Sequence, residues 1–216
     1  MVDTNSRILE KVERMLEIHL SRMGFDFDSK AYKSLIPDAL DATLADAAYY
    51  DKLDMEDLVD QILEVDSNYA VFLFRLGNAL FLNDRAGRTQ RSLHALMRSN
   101  CSMEIYFNCS IGVGLRIVHG LGTVIGSRTT IGDGFQCYQG VTLGKTVNGQ
   151  DGPNIGLRCT AFANCSILGD IVIGNNSVIA ANSLVLKSFD QENSVIGGSP
   201  AVLISNMAAE IHAQTR

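Results

Sequence analysis

A six-residue period in the second half of the chain constrains the fold more than any other feature. After Asn100 glycine becomes frequent, and Val, Ile and Thr dominate. Steps of six from Ile125 meet an aliphatic or small residue at Ile131, Cys137, Leu143, Ile155, Ala161, Ile167, Ile173, Ile179 and Val185, with Gly149 as the one skipped step. A hexapeptide repeat is the signature of a β-helix. We therefore predict a left-handed parallel β-helix, a triangular prism in which three hexapeptides complete one coil.

The repeat also predicts the interior, the corners and the interruptions of this prism. One aliphatic residue per face stacks on its counterpart in the next coil, which builds a core from neighbour contacts alone. Glycine and asparagine tolerate left-handed backbone angles, so we expect corners at Asn164, Asn175, Asn176 and Asn182. The segment 145–154, which is rich in Gly, Asn, Asp and Lys, is predicted to be a loop extruded from the prism. Ile111 and Ile117 lie two residues out of the frame, which predicts an irregular first coil.

The first half has a helical period instead. Apolar stripes with helical spacing run along four segments: Ile8, Val12, Leu16 and Leu20; Leu40 and Leu44; Met55, Leu58, Val59, Ile62 and Leu63; and Val71 to Leu82. Pro37 suits a helix start and Gly24 a helix end. The fold class is therefore α+β: a helical domain over residues 1–98, a β-helix domain over 99–204, and a tail over 205–216.

Composition narrows the range of partners and compartments. The net charge of −6 and the absence of a basic run argue against nucleic acid and anionic membranes as partners. The most apolar run, Tyr69 to Leu82, contains Arg75 and is shorter than the roughly 18 residues that a bilayer span needs. The N-terminus shows no apolar signal core, so we expect a cytoplasmic protein.

The cysteines indicate packing in preference to chemistry. Five are present, an odd number without the close pairs that bind zinc or carry out redox reactions: Cys101, Cys109, Cys137, Cys159 and Cys165. We expect them to be small buried residues, with a cysteine nucleophile as the weaker alternative. No metal is expected.

One histidine stands apart from the other three. His19 and His94 fall in helical segments and His212 lies in the tail, whereas His119 sits among packing and turn residues at the irregular first coil. An isolated histidine is often structural, and a β-helix can be a pure scaffold. The extruded loop, which no scaffold requires, favours a catalytic role for His119.

The sequence resembles the serine acetyltransferases, a family of hexapeptide-repeat acyltransferases. The resemblance is carried by IVHGLGTVIG at 117–126, QGVTLG at 139–144, ILG at 167–169, GSPA at 198–201 and FRLG at 74–77. It implies direct acetyl transfer from acetyl-CoA, a cosubstrate and not a bound cofactor, to a hydroxyl group without an acyl-enzyme. His119 matches the general base, and Glu104 occupies the position of the carboxylate, usually aspartate, that pairs with it.

The resemblance also implies a CoA site and an assembly. CoA would lie in a groove between adjacent prisms of a homotrimer, or of a dimer of trimers, touching Gly144, Ala163 and Ala181. Lys145, and by the same reasoning Lys187, would meet its phosphates. The backbone N–H of Gly144 is the candidate donor to the developing oxyanion.

Three departures from the family pattern concern the acceptor and the partners. Val118 replaces the aspartate that helps to hold serine, and Asp151 and Gly152 replace an Arg-His pair before Pro153. The last residues, 213–216, lack the isoleucine that family members insert into the next enzyme of cysteine synthesis, so a cysteine synthase complex is not expected. We therefore expect a small hydroxyl acceptor other than L-serine. The alternatives are a conventional L-serine O-acetyltransferase of cysteine biosynthesis, an inactive trimeric paralogue, and an acyltransferase for longer chains or amines that differs near Phe162.

Overall fold

A computed structural model describes residues 4–24, 29–51, 54–83 and 87–206. Within these ranges six helices precede a series of short strands. The helices are α1 (Thr4–Arg22), α2 (Ser29–Lys33), α3 (Ile36–Ala48), α4 (Met55–Glu64), α5 (Asp66–Leu82) and α6 (Arg88–Cys101). The predicted stripes are confirmed, because Val12, Leu16 and Leu20 are fully buried and the later stripes fall on α3, α4 and α5.

Fifteen strands form the described part of the second half. They are β1 (Glu104–Ile105), β2 (Ser110–Ile111), β3 (Arg116–Ile117), β4 (Val124–Ile125), β5 (Thr130–Ile131), β6 (Gln136–Cys137), β7 (Thr142–Gly144), β8 (Asn154–Ile155), β9 (Thr160–Ala161), β10 (Ser166–Leu168), β11 (Val172–Ile173), β12 (Val178–Ile179), β13 (Leu184–Val185), β14 (Val195–Gly198) and β15 (Ala201–Ser205). β14 and β15 form a closing antiparallel hairpin. All other strand pairs are parallel.

The strands make the three faces of a prism. Sheet A has the order β1-β4-β7-β10-β13, sheet B the order β11-β8-β5-β2, and sheet C the order β15-β14-β12-β9-β6-β3. The frame residues stack in register, as in Ile125 beside Leu143 and Cys137 beside Ala161, and are buried. The predicted helical bundle followed by a parallel β-helix is confirmed.

The corners follow the prediction with one exception. Asn164, Asn176 and Asn182 adopt positive φ angles of 59°, 55° and 58°. Asn175 does not, so its prediction as a left-handed corner is wrong. Its side chain instead accepts a hydrogen bond from the backbone N–H of Leu157 at 2.8 Å and joins neighbouring coils.

The two predicted irregularities lie at different corners. Ile117 and Ile125 are eight residues apart where the frame has six, so the corner between sheets C and A of the first coil carries two additional residues. Residues 145–153 leave the prism between sheets A and B without a break in register, because Ile155 still pairs with Ile131. Asn154, the last residue of the predicted loop, is instead the first residue of β8.

The helical half ends later than residue 98. α6 continues to Cys101, where Ser102 takes a left-handed conformation with a φ of 53° and turns the chain into β1. The tail prediction falls largely on residues 207–216, which lie outside the described residues. The apolar run belongs to α5, and no helix of the described ranges is long and apolar enough to cross a membrane.

A buried ion pair joins the helical half to the first coil. Asp46 of α3 is 2 % exposed and accepts two hydrogen bonds from Arg75 of α5, at 2.7 and 2.8 Å. The same carboxylate accepts from the backbone N–H groups of Gly114 and Leu115, while Arg75 also donates to the carbonyl of Gly112. This contact fixes the helical half against the coil that carries His119.

The five cysteines are free and buried. Burial raises the pKa of every one of these thiols, to about 11 for Cys109 and Cys159 and to about 12 for Cys101 and Cys165. Such thiols carry almost no thiolate at neutral pH. The packing interpretation is confirmed.

Candidate active site

His119 lies in the enlarged corner between sheets C and A. Its backbone adopts a φ of 55°, which is unusual for a residue with a side chain, and the side chain is exposed. This corner contains two more residues than a regular corner of the prism. The imidazole therefore belongs to an exposed residue of an enlarged turn.

Several contacts hold this turn. Gly120 has no space for a side chain, since a Cβ atom there would collide with the sulfur of Met103 and with Ile117. The N–H of Gly122 donates to the carbonyl of Ser102 at 2.9 Å, and the N–H of Gly120 faces Ser67 Oγ at 3.4 Å. The helical half and the chain entering β1 thus both fix the turn that carries the histidine.

Glu104 has other neighbours than the predicted one. One of its carboxylate oxygens lies 3.3 Å from His94 Nε2 and 3.6 Å from an Arg98 nitrogen, both on α6. Among the described residues no hydrogen bond or ion pair joins Glu104 to His119. The carboxylate is 23 % exposed and belongs to the first residue of β1, whose backbone N–H donates to the carbonyl of Thr123 at the end of the corner that carries His119. Its pairing with His119 stays a prediction.

The helical segment around His94 predicts no catalytic role for this residue, but its Nε2 atom lies closer to Glu104 than any other described titratable group. Burial lowers the pKa of His94, Glu104 opposes this effect, and Arg98 reinforces it. The ring also packs edge-on against Tyr106 at a centroid distance of 4.9 Å. The sequence signal was its spacing of four residues from Arg98 on one helical face.

Two of the predicted CoA residues share the edge of the prism on which His119 stands. Hydrogen bonds from Gly140 to Leu121, from Asn164 to Gln139 and from Asn182 to Ala163 stack the successive corners between sheets C and A. Ala163 and Ala181 occupy these corners two and three coils beyond His119. Their small side chains leave the edge accessible for an extended molecule.

The other two predicted CoA residues lie on a different edge. Gly144 is the last residue of β7 and Lys145 begins the extruded loop, so both lie where sheet A turns toward sheet B. The width of sheet A separates this edge from the His119 edge of the same chain. Lys187, further along the prism, places its ammonium group 5.3 Å from the ring centroid of Phe189. One protomer therefore does not bring all of the predicted site residues together.

The extruded loop is fastened to that second edge. Asp151 lies 3.5 Å from Arg128, the N–H of Gly152 donates to the Arg128 carbonyl at 3.2 Å, and Pro153 accepts from Thr130. Asp151, which replaces a cation of the family pattern, is thus paired within its own chain.

Phe162, which the sequence indicates as a residue near the acyl chain, forms an aromatic pair with Tyr138, which the sequence does not indicate. Tyr138 and Phe162 stack at a centroid distance of 5.0 Å and an interplanar angle of 24°. They occupy the outward position of Val118 in the next two coils, as the hydrogen bonds from Val118 to Cys137 and from Tyr138 to Ala161 establish. Steps of six connect the two aromatic residues, because Phe162 follows Tyr138 by 24 residues, whereas Val118 precedes Tyr138 by 20 residues and lies two residues out of the frame.

No protein-family profile matches the chain. A curated relative, the serine acetyltransferase of Helicobacter pylori strain 26695, is 37 % identical over 131 residues, which are 60 % of this chain and 76 % of the relative. The matched share of that relative exceeds two thirds of its length.

Solved structures agree with this assignment. The serine acetyltransferase of Neisseria gonorrhoeae in complex with serine superposes with a TM-score of 0.66 at 27 % identity, covering 80 % of this chain and 70 % of that one. A serine acetyltransferase in complex with CoA gives a TM-score of 0.68 at 26 % identity, covering 81 % and 72 %. The chain therefore belongs to the serine acetyltransferase family, a family of acetyl-CoA-dependent O-acetyltransferases.

Proposed function

We propose that this protein transfers the acetyl group of acetyl-CoA to the hydroxyl group of L-serine, with His119 as the general base. The observation that carries the proposal is the 37 % identity to a serine acetyltransferase over 76 % of its length. A related structure contains serine and another contains CoA, which supports the same pair of substrates here. The exposed, rigidly held His119 at the prism edge supplies the base that this reaction needs.

The chemistry requires a base because a serine hydroxyl is too weakly acidic to attack a thioester at neutral pH. Neutral His119 takes the hydroxyl proton as the oxygen attacks the carbonyl carbon. The carbon–sulfur bond then breaks, and the imidazolium returns the proton to the leaving thiolate. The products are O-acetylserine and CoA with a free thiol, and the histidine is again neutral.

Glu104 is proposed to stabilise the imidazolium through the second ring nitrogen. In the single chain its carboxylate contacts His94 and Arg98 instead. A glutamate reaches one methylene further than an aspartate, so a rotation of its side chain could exchange these partners for His119. This part of the proposal requires that rearrangement.

A second copy of the chain is proposed to complete the site. Ala163 and Ala181 share the His119 edge, whereas Gly144, Lys145 and the extruded loop lie across sheet A. In a cyclic assembly of prisms, the edge between sheets A and B of one protomer meets the edge between sheets C and A of its neighbour. A homotrimer of this kind would bring the two groups of residues to one groove. The cytoplasmic location of the protein also remains a prediction.

An acceptor other than L-serine is the second candidate. Val118 removes a carboxylate that family members place beside the serine ammonium group. Asp151, where the family has a cation, is paired with Arg128 and offers no positive charge to a carboxylate. These two positions favour a hydroxyl acceptor without an amino-acid head group.

An acceptor panel separates the two candidates. Thiol release from acetyl-CoA is followed with L-serine, homoserine, ethanolamine and simple sugars, and each product is identified by mass spectrometry. Saturable formation of O-acetylserine supports the first proposal, and turnover with a different hydroxyl alone supports the second. Binding of neither CoA nor any acceptor would favour an inactive paralogue.

A further inference from the structure

A cavity lies between the helical half and strand β3 in the first coil of the prism. It measures about 170 Å³ and is bounded by α3, α4, α5 and β3. Sites for drug-sized ligands are larger, roughly 300–1,000 Å³. The cavity therefore suits a molecule of the size of a small amino acid and is too small for CoA.

The cavity adjoins the His119 turn. Ile117 lines it and precedes His119 by two residues, and Asn68 lines it beside Ser67, which contacts Gly120. Arg116, which also lines it, is three residues from His119. At about 3.3 Å per extended residue their Cα atoms are at most roughly 10 Å apart. Two long side chains with a small acceptor between them can span that distance.

Arg116 presents an unused cation to this cavity. Its guanidinium carbon lies 5.0 Å from the ring centroid of Tyr50, whose hydroxyl donates to the carbonyl of Gly114 at 3.0 Å. Stacking on a ring leaves the N–H donors of a guanidinium free to bind in its own plane. Within the described ranges no hydrogen bond or ion pair engages the Arg116 side chain.

The other charged and polar groups around the cavity differ from Arg116 in their partners. The carboxylate of Asp46 accepts hydrogen bonds from Arg75 and from two backbone N–H groups. Asp51, at the rim, has no ion-pair partner among the described residues, and the amides of Gln61 and Asn68 bond to each other at 3.0 Å. Among the described residues that line the cavity, Arg116 and Asp51 are therefore the cation and the anion without an ion-pair partner, and such a pair of charges complements a zwitterion.

We infer that Arg116 binds the carboxylate of the acceptor and thereby replaces the loop cation that this chain lacks. The inference rests on the proposed function and specifies its acceptor as an α-amino acid. A guanidinium forms two parallel hydrogen bonds with a carboxylate, which gives orientation as well as affinity. The residue acts on acceptor specificity, whereas His119 acts on the hydroxyl.

The test compares L-serine with L-serinamide, which lacks the carboxylate charge, in wild type, Arg116→Gln and Arg116→Lys. In Arg116→Gln the KM for L-serine should rise roughly 10- to 100-fold, as expected for the loss of a charge-assisted pair. The preference for L-serine over L-serinamide should vanish, and Arg116→Lys should keep part of it. The KM for acetyl-CoA should not change, which also reports that the variant is folded.

Arg158→Gln is the matched control, because Arg158 is an exposed arginine that lies two coils from β3 and whose side chain donates to Asn176 at 2.8 Å. It should leave both acceptor constants unchanged. An Arg116→Gln enzyme with the wild-type ratio of KM values for the two acceptors would overturn the inference while leaving the proposed function intact. Absence of serine turnover in the wild type would instead overturn the proposed function, and the specified acceptor with it.

Discussion

Replacement of Asp46 by asparagine should destabilise the protein by about 3–5 kcal/mol, the usual result of removing one partner from a buried ion pair. The side chains of Asp46 and Arg75 are only 2 % and 11 % exposed. Asparagine keeps the shape of aspartate but removes its charge, so the guanidinium stays buried without a counter-charge. A change of 1 kcal/mol shifts the melting temperature of a protein of this size by about 2–4 °C. The expected decrease is therefore roughly 6–20 °C.

The assay is thermal and urea unfolding followed by circular dichroism at one fixed protein concentration. Asp60→Asn is the matched control, since Asp60 pairs with Lys11 on the surface, where the side chains are 58 % and 49 % exposed. It should change stability by less than about 1 kcal/mol. A double variant, Asp46→Leu with Arg75→Met, should be less destabilised than the sum of the single variants. Additive effects, or an Asp46→Asn change as small as the control, would refute the claim that this pair fixes the helical half to the prism.

Three further predictions concern the surroundings of the candidate site. Phe162→Ala should open the edge above His119 and raise the kcat/KM of butyryl-CoA relative to acetyl-CoA by about tenfold or more. Tyr138→Phe should keep the wild-type ratio. An unchanged ratio in both variants would show that the aromatic pair does not select the acyl chain. The described cysteines, including Cys159 with a pKa raised to about 11, should resist a thiol reagent near pH 8 until urea is added, and rapid labelling of the native protein would contradict their burial. Because burial lowers the pKa of His94, its neutral form is favoured by folding, so stability should be full above about pH 6.5 and fall as the pH drops through the lowered value. Between pH 7.5 and 5 the melting temperature of His94→Gln should decrease less than that of the wild type. An equal decrease would show that other groups dominate the pH dependence of stability.

The prism was predictable because one aliphatic or small residue recurs every six residues, once on each face of a coil. Ile125, Ile131 and Cys137 each pack on the counterpart one coil away, so a local pattern reports a tertiary contact. The irregular first coil was predictable for the same reason, since an offset of two residues must appear somewhere between Ile117 and Ile125. The prediction of a left-handed conformation at Asn175 was wrong because two adjacent asparagines compete for one left-handed position, and only packing decides between them.

The site was less predictable, because it depends on contacts between segments that are distant in the sequence. The proximity of Glu104 to His94 and Arg98 follows from the way α6 enters β1, and no spacing rule encodes that turn. The Arg116 cavity likewise exists only because three helices dock against β3. The separation of Gly144 from the His119 edge becomes apparent once sheets A, B and C are assigned.

The most direct test of the central claim is the rate of thiol release from acetyl-CoA with saturating L-serine, measured for wild type and His119→Asn. We predict turnover with stoichiometric O-acetylserine in the wild type, and a loss of at least about 100-fold in kcat with unchanged CoA binding in the variant. A variant that keeps the wild-type rate would contradict the assignment of His119 as the base.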